Sequence, residues 1–265
     1  MEKYIPPFSI SNKMLEYVSG ISEKVGSINN YDVFRTKPYL RRNNRIESIH
    51  SSLKIEANSL SLSEVRDVID GNPVIGDEIE IQEVKNAYEA YSKINDVDPF
   101  SISDLKLLHS IMTYRTVAES GNFRRGEEGV FDGDRCIFIA PPANMVNGLV
   151  ENLFTWMKEN ENTIHPLIMA AVFHYEFVFI HPFSDGNGRI ARLWHNVILY
   201  RWRKIFEYIP LESQIVKFQS EYYKSISKCH KNGNSDVFIE FILERIDCVL
   251  EEFIIAVNKK NLGNQ

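Results

Sequence analysis

The sequence predicts a mainly α-helical fold with one inserted β-hairpin. Apolar residues recur at helical spacing along most of the chain, as at Met14, Val18 and Ile21. Only the stretch 130–139 differs, because Asp132-Gly133 lies there between two β-prone segments, which is a hairpin pattern. No repeat and no low-complexity linker interrupts the chain. These observations favour one mainly helical unit.

The predicted helices share apolar residues spaced three or four apart. They cover residues 9–27, 39–56, 61–69, 78–94, 101–112, 145–158, 167–180, 188–203, 214–228 and 236–257. Ser61 and Glu64 have the spacing of a capping box, which marks the start of the third helix. We divide the chain into an N-terminal helical extension, residues 1–95, and a core, residues 96–265, packed as one compact unit.

Composition excludes several classes of function. The net charge of −6 over 265 residues argues against a broad nucleic-acid surface, which would be basic. Cys136, Cys229 and Cys248 form no C-x-x-C pair and indicate a reducing compartment. The N-terminus lacks a signal-peptide pattern, and no apolar run is long enough to span a bilayer. We therefore expect a cytoplasmic protein that binds neither nucleic acid nor membrane.

The segment 181–192, HPFSDGNGRIAR, lies between two strongly apolar helices. Gly186-Asn187-Gly188 directly precedes a helix, so the backbone can approach an anion held by unpaired N–H groups and the helix dipole. Arg189 and Arg192 are three positions apart and share one face of the first turn. Two guanidinium groups beside such a loop suit a polyphosphate.

Two further side chains add chemistry to this segment. Asp185 would repel phosphate unless a Mg²⁺ ion bridges them, since Mg²⁺ is usually held by one or two carboxylates together with phosphate oxygens. His181 titrates near neutrality and can take a proton from an attacking hydroxyl. Each of these residues alone is more often structural, but their combination within one short segment favours a phosphate site. Neither a Walker A loop nor a G-x-G-x-x-G motif is present.

His181 to Arg192 resembles, position for position, the Fic family signature H-P-F-x-[DE]-G-N-G-R-x-x-R. Residues 121–124, GNFR, look like the segment before the family's flap, and residues 137–142 look like the flap and its proline exit. The C-terminal stretch around Tyr222-Tyr223 and residues 238–241 is also similar. The resemblance covers roughly residues 40–250 and implies a Fic fold, a helical bundle with a β-hairpin flap.

This resemblance implies a protein adenylyltransferase that moves AMP from ATP to a Tyr, Thr or Ser hydroxyl and releases pyrophosphate. The implied cofactors are ATP as substrate and Mg²⁺. By this resemblance, His181 would be the general base and Asp185 would bind Mg²⁺. Asn187, with the amides of Gly186 and Gly188, would bind phosphate, and Arg189 and Arg192 would clamp the outer phosphates. Phe183 would pack the loop onto the core.

The same resemblance gives a purpose to the hairpin and to the C-terminal region. A target segment would add to the flap as an extra strand, with Ile137, Phe138 and Ile139 as contacts. The alternative is a hairpin that only caps the helices. Tyr222 or Tyr223 would line an adenine pocket. The partners implied are a protein target, the chain itself through self-modification, and further copies of the chain, because related proteins are often oligomers.

Residues 51–58, SSLKIEAN, resemble the family's inhibitory motif [ST]-x-x-x-E-[GN], with Ser52 and Glu56 in register. The resemblance implies that Glu56 pairs with Arg192 and blocks productive placement of the γ-phosphate. A carboxylate is the natural ion-pair partner of a guanidinium group when phosphate is absent. Ala57 departs from the pattern, because Gly or Asn is usual at its position.

Three alternatives stay open. Glu56 could position a water for hydrolytic removal of AMP from a modified protein. The donor could be another phosphate-containing molecule, as in relatives that transfer phosphate or phosphocholine. The chain could also be a regulatory nucleotide-binding protein with vestigial catalysis, against which the intact His181 argues.

Overall fold

A computed structural model describes residues 4–29, 38–132 and 135–262. The predicted mainly helical fold is confirmed. Within these residues, the N-terminal part of the chain shows four α-helices and a short 3-10 helix. These are α1 (Asn12–Asn29), α2 (Pro38–Ile55), α3 (Leu62–Asp70), α4 (Glu78–Ser92) and the 3-10 helix Ile94–Asp96. The capping box predicted for α3 is present, with Ser61 accepting from the N–H of Glu64.

The remaining elements form the part of the chain that carries the motif. They are α5 (Ile102–Met112), β1 (Gly129–Asp132), β2 (Arg135–Ile139), α6 (Ala143–Glu159), α7 (Pro166–Ile180), α8 (Asn187–Trp202), the 3-10 helix Lys204–Tyr208, α9 (Leu211–Lys217), α10 (Gln219–Asn232) and α11 (Asp236–Leu262). None of the helices described is long and apolar enough to cross a membrane.

Helix α7 lies at the centre of the molecule. Its side chains are apolar on nearly all sides, which is the pattern of a helix enclosed by others. It packs most extensively on α8 and also contacts α6 and α11. Phe173 is fully buried between Phe154 of α6 and Trp194 of α8. The loop from α7 to α8 is therefore held at both ends by well-packed helices.

The N-terminal helices share their core with the rest of the chain. Helix α1 packs against α11, and α2 packs against α9 and α4. Buried side chains of both parts belong to one hydrophobic cluster. The boundary near residue 95 stays a prediction, but the end of α2 is fixed relative to the motif by this common core.

The predicted hairpin is confirmed as an antiparallel pair of strands. Gly129 lies opposite Ile139, and the register shifts between residues 130 and 131 so that Phe131 pairs with Cys136. The sequence assigns the turn to Asp132-Gly133, but Asp132 is the last residue of β1, and residues 133–134 lie outside the described residues. The side chains of residues 130–137 are also outside the description.

The single helix predicted for residues 214–228 is wrong. Helix α9 ends at Lys217, and α10 begins at Gln219, because Phe218 has φ −121° and ψ 37° and leaves the helical conformation. Helix α9 packs mainly on α2 and also contacts α11, whereas α10 packs mainly on α11. Apolar periodicity continues across the junction, so the sequence pattern alone cannot indicate this change of direction.

Helix α2 ends in a left-handed residue that is not glycine. The N–H of Asn58 donates to the carbonyl of Leu53 and that of Ala57 donates to Lys54, the two bonds of a Schellman motif. Ala57, at the C′ position of this motif, has φ +67°. A left-handed conformation favours Gly, which explains why the inhibitory motif usually has Gly or Asn here.

We expect Ala57→Gly to raise the free energy of unfolding by about 0.5–1 kcal/mol, because the left-handed penalty exceeds the extra entropy of the unfolded chain. Urea denaturation measures the change. Ala118→Gly is the matched control, since Ala118 is exposed in a turn and does not have positive φ. That variant should be destabilised, and a loss of stability in Ala57→Gly would contradict the prediction.

Candidate active site

His181 ends α7 in a strained conformation. Its φ of 50° and ψ of 59° are left-handed, and its N–H caps the helix by donating to Phe177 at 2.9 Å. Strain of this kind in a non-glycine residue persists only where the surroundings impose it, and it is common at functional sites. Nδ1 lies 3.4 Å from the carbonyl of Val178. A proton on Nδ1 satisfies that carbonyl and leaves Nε2 as an acceptor.

The protonation state of His181 suits a base. Burial lowers its pKa, and the nearby charge of Arg124 acts in the same direction. The carbonyl of Val178 and the charges of Glu56 and Asp185 oppose this shift. The net direction is downward, so the imidazole is neutral at pH 7 and can accept a proton.

The interior of the loop is held by Phe183 and Asn187. The ring of Phe183 is fully buried, as the sequence analysis expected of a packing residue. The side-chain oxygen of Asn187 accepts from the N–H of Phe183 at 2.9 Å, and its nitrogen donates to the carbonyl of Phe183 at 2.7 Å. The amide of Asn187 therefore shapes the loop, and a role for this side chain toward phosphate stays a prediction.

His109 of α5 supports the same loop from outside the motif. Its ring stacks on Phe183 with centroids 3.5 Å apart. Nδ1 accepts from the N–H of Gly121 at 2.9 Å, so Nε2 carries the proton and donates to the carbonyl of Asp185 at 3.0 Å. Burial lowers the pKa of His109 to about 4. The sequence analysis placed His109 only as a helix residue, since these partners are distant in sequence.

The start of α8 forms an anion site that a carboxylate occupies. Gly186 is the N-cap with φ 77°, so the backbone turns into the helix in a conformation that favours glycine. A Cβ built on Gly188 would lie only 2.4 Å from Oε1 of Glu56. Glycine is therefore required for the close approach of Glu56 to the first turn, where helix N–H groups and the dipole attract negative charge.

Arg192 is the main partner of Glu56. Its Nη2 lies 2.7 Å from Oε1 of Glu56 and donates also to the carbonyl of Ser52 at 3.0 Å, while Nε donates to the Ser52 hydroxyl at 3.1 Å. The Arg192 side chain is 2% exposed and that of Glu56 36%. The pair expected from the sequence is therefore present, and Ser52 completes it.

Arg189 points to different partners. Its Nη1 lies 2.7 Å from Oε1 of Glu83 in α4, and its Nη2 lies 3.3 Å from Oδ2 of Asp185. Its side chain is only 3% exposed and is not among those that line the cavity described below. The two motif arginines thus diverge although they are three positions apart, and phosphate binding by Arg189 stays a prediction.

A cavity of about 600 Å³ opens beside the motif. Its walls include Glu56, His181, Gly188 and Arg192, and its volume lies in the range of small-ligand sites. Side chains of α10 complete it, among them Tyr222, Tyr223 and His230.

The two tyrosines of α10 have different surroundings. Tyr222 is buried, and its hydroxyl lies 3.0 Å from Nε2 of His174. Tyr223 is about half exposed, and its hydroxyl donates to the carbonyl of Ile55 at 3.4 Å. Gln219 donates to that carbonyl at 3.1 Å. Both rings line the cavity, and α10 is also bonded to the last turn of α2. A role of either ring toward adenine stays a prediction.

The flap strand β2 presents neighbouring residues to opposite sides. Phe138 lines the cavity and packs on the rings of Phe179 and His230, with centroids 5.4 and 4.1 Å apart. Ile139 is 73% exposed. The side chain of Ile137 lies outside the described residues. Ile139 is therefore accessible to a docked segment, whereas Phe138 closes the cavity.

Arg124 joins the flap to His181. Its side chain is buried, with Nε donating to the carbonyl of His181 at 2.7 Å and Nη2 to that of Pro141 at 2.5 Å. Its backbone N–H donates to Pro182 at 2.9 Å. The sequence analysis included Arg124 in a family-like segment without a role, and the structure gives it a positioning role.

Asp185 fits a cation that arrives with a phosphate ligand. Its side chain is 64% exposed, Oδ1 accepts from the N–H of Gly186, and Oδ2 faces Arg189. The described residues contain no group of three or more His, Cys, Asp or Glu arranged to hold a metal. In Mg²⁺–phosphate sites the protein nevertheless usually supplies only one or two carboxylates, and the phosphate and water supply the other ligands.

We expect His109→Phe to lower the free energy of unfolding by about 2 kcal/mol or more, because Gly121 and Asp185 each lose a buried hydrogen-bond partner while the stacking on Phe183 is kept. Urea denaturation measures this loss. Hydrogen exchange should become faster at residues 183–188. His109→Gln can still donate to Asp185 and should be intermediate; equal stability of His109→Phe and the parent would rule out this role.

Comparison with known proteins agrees with this geometry. The sequence profile of the Fic/DOC family matches residues 99–199. Fic-1 from C. elegans superposes with a TM-score of 0.79 at 23% identity, covering 93% of this chain and 73% of that one, and so shares the fold. "Protein adenylyltransferase Fic" from Nematostella vectensis is 28% identical over 83% of this chain and 51% of its own length. The chain spans about half the length of the curated relatives it matches.

A nearer solved relative has 38% identity. It is a Fic family protein from Desulfovibrio desulfuricans whose structure superposes with a TM-score of 0.89, covering 96% of this chain and 77% of that one. Identity at this level over nearly all of the chain extends the match well beyond the motif. The chain therefore belongs to the Fic/DOC family.

Proposed function

We propose that the chain transfers AMP from ATP to a hydroxyl group of a protein side chain, with release of pyrophosphate, and that Glu56 inhibits this transfer. One observation carries the proposal: the Glu56 carboxylate lies in the anion site between Gly188 and Arg192, in the cavity that also holds His181. The curated relatives named protein adenylyltransferase support the same reaction.

The residues of the cavity suggest the following division of work. Backbone N–H groups at the start of α8 and the guanidinium of Arg192 bind phosphate oxygens in place of Glu56. Nε2 of His181 takes the proton of the target hydroxyl while that oxygen bonds to the α-phosphorus. The bond from the α-phosphorus to the bridging oxygen breaks, and pyrophosphate leaves. Asp185 would hold Mg²⁺, which neutralises phosphate charge when bound.

The flap supports a protein as the acceptor. A target segment can add to β2 through backbone hydrogen bonds, which tolerate many sequences. The exposed Ile139 offers an apolar contact beside that edge, and Ile137 is a further expected contact. Arg124 keeps the flap exit close to His181, so a docked hydroxyl would lie near the base. Self-modification follows if an exposed segment of the chain itself reaches the flap.

Inhibition follows from competition for one site. A carboxylate and a phosphate group cannot occupy the same guanidinium and the same helix N-terminus. The bonds from Gln219 and Tyr223 to the carbonyl of Ile55 hold the end of α2 near this position. Glu56 is attached to the chain and therefore competes with nucleotide at a high effective concentration.

Hydrolytic removal of AMP from a modified protein is a second candidate. Burial lowers the pKa of His181, and the charge of Glu56 opposes that shift, so the two groups interact. Glu56 is also partly exposed, which lets water reach its carboxylate. Hydrolysis would need Glu56, whereas transfer would be suppressed by it. Measuring AMP release from a modified protein with and without Glu56 separates the two.

Four expectations about the donor, the activity, the location and the assembly come from the sequence alone. A phosphate or phosphocholine donor and a vestigial nucleotide-binding role stay alternatives to ATP-dependent transfer. The cytoplasmic location and the formation of homo-oligomers stay predictions from the sequence.

We expect Glu56→Gly to raise AMP transfer, including self-modification, by about 10- to 100-fold, the equivalent of one lost charge-assisted hydrogen bond. Incorporation of label from α-labelled ATP with Mg²⁺ measures the rate, and mass spectrometry of labelled peptides from a cell lysate identifies the target.

Lys54→Gly is the matched control for this variant. Lys54 is exposed in the same helical turn, so the change adds backbone freedom without removing the carboxylate. Its transfer rate should stay near that of the parent. Transfer by Glu56→Gly at the parental rate would mean that Glu56 does not inhibit.

His181→Ala in the Glu56→Gly background should reduce transfer by about 10²- to 10⁴-fold, because the general base is lost. Calorimetric affinity for ATP should change little, since the imidazole is expected to act on the acceptor hydroxyl. A comparable loss of ATP affinity would assign His181 to binding rather than to proton transfer.

A further inference from the structure

Glu83 of α4 lies outside the family motif, yet both of its carboxylate oxygens bond to site residues. Oε1 lies 2.7 Å from Nη1 of Arg189, and Oε2 accepts from Nδ2 of Asn58 at 2.9 Å. Asn58 follows Glu56 by two positions, and Arg189 follows Gly188. Glu83 therefore connects the turn that ends α2 with the first turn of α8.

Arg189 is shared unequally between two carboxylates. Its contact with Glu83 is 2.7 Å, whereas its contact with Asp185 is 3.3 Å. The side chain of Glu83 is 19% exposed and that of Asp185 is 64% exposed. The more buried and shorter contact is with Glu83, which is therefore the stronger counter-ion of the two.

The charges determine what would follow if Glu83 were neutral. Arg189 is buried, and a buried guanidinium without a counter-ion is strongly unfavourable. Asp185 would then be the only carboxylate that contacts it in the described structure. A carboxylate engaged by a guanidinium is a poorer ligand for a cation, because the same oxygens and the same charge are needed twice.

We propose that Glu83 is a positioning residue that neutralises Arg189 and so keeps the Asp185 carboxylate available for the divalent cation that accompanies the nucleotide. This inference rests on the proposed function and deepens it. The series Asn58–Glu83–Arg189–Asp185 also gives the turn after α2 a second connection to the site, separate from the contact between Glu56 and Arg192.

The principal test is Glu83→Gln in the Glu56→Gly background. The amide keeps the size of the side chain and can still bond to Asn58, but it removes the charge. The Mg²⁺ concentration for half-maximal AMP transfer should rise about tenfold, as is usual when a partner of a metal-holding residue is lost. The ATP concentration for half-maximal transfer at saturating Mg²⁺ should change less than about twofold, because Glu83 is proposed to act on the metal site and not on ATP itself.

Glu80→Gln is the matched control. Glu80 lies one turn earlier on α4, and its carboxylate bonds to the N–H and hydroxyl of Ser59 at 2.9 and 2.6 Å instead of to an arginine. The substitution Glu80→Gln removes the same charge from the same helix, so it measures the general electrostatic effect of losing one negative charge. Its Mg²⁺ dependence should match that of the Glu56→Gly background.

A binding measurement tests the inference without turnover. Electron paramagnetic resonance of Mn²⁺ with a non-hydrolysable ATP analogue gives the metal affinity directly. Glu83→Gln should weaken Mn²⁺ binding about tenfold, and Asn58→Ala should weaken it less, because Glu83 keeps its charge. The double variant Glu83→Gln, Arg189→Gln should bind Mn²⁺ as tightly as Arg189→Gln alone, since no unpaired guanidinium competes for Asp185; such non-additivity is the sign of direct coupling.

The outcomes distinguish the role of Glu83 from the proposed AMP transfer. If every variant binds Mn²⁺ with nucleotide but none transfers AMP, the proposed reaction is wrong while the metal-site role of Glu83 is still measured. If Glu83→Gln and Glu80→Gln show equal Mg²⁺ and Mn²⁺ dependence, Glu83 has no such role. Should Glu83→Gln fail to fold, the double variant restores charge balance, and a Mn²⁺ affinity in it weaker than that of Arg189→Gln alone would also overturn the inference.

Discussion

The guanidinium of Arg192 is buried at the centre of the molecule and has to be paired with an anion. In this structure the anion is the carboxylate of Glu56, which approaches the first turn of α8 so closely that a Cβ at position 188 would displace it. The proposed substrate offers another anion of the same kind. In the proposed function, inhibition and nucleotide binding therefore depend on one electrostatic requirement, and the anion that reaches Arg192 would decide between them.

The packing around this pair makes the requirement strict. Helices α7 and α8 are enclosed by apolar contacts, and α8 holds the Arg192 side chain beside Glu56 with only 2% of its surface exposed. The left-handed conformation of His181 and the hydrogen bonds of Asn187 and His109 fix the loop further. Packed helices thus carry a strained loop whose side chains orient its backbone, and in the proposed function that backbone would bind the phosphate. This division explains why so many polar side chains of the motif contact protein atoms.

The sequence predicted the elements whose signals are local or contained in one motif. Helical periodicity predicted most helices. Resemblance to the family's inhibitory motif predicted the contact between Glu56 and Arg192, although these residues are far apart in the chain. The sequence did not predict the break at Phe218, because apolar spacing continues through it while the packing partner changes. The divergence of Arg189 depends on Glu83, and the role of His109 depends on Gly121 and Asp185. Such contacts follow from the tertiary arrangement, which spacing within one segment does not encode.

Arg124 has a consequence for geometric precision. One planar group donates to the carbonyl of His181 and to that of Pro141 at the flap exit. The same rigid guanidinium thus fixes both the position of the base and the position of the strand that would receive a target. Displacements of about 1 Å can cost a large part of a reaction rate. A short shared connection limits the accumulated error between the two positions. In the proposed function, a flap that binds a target mainly through its backbone could then still deliver a hydroxyl accurately.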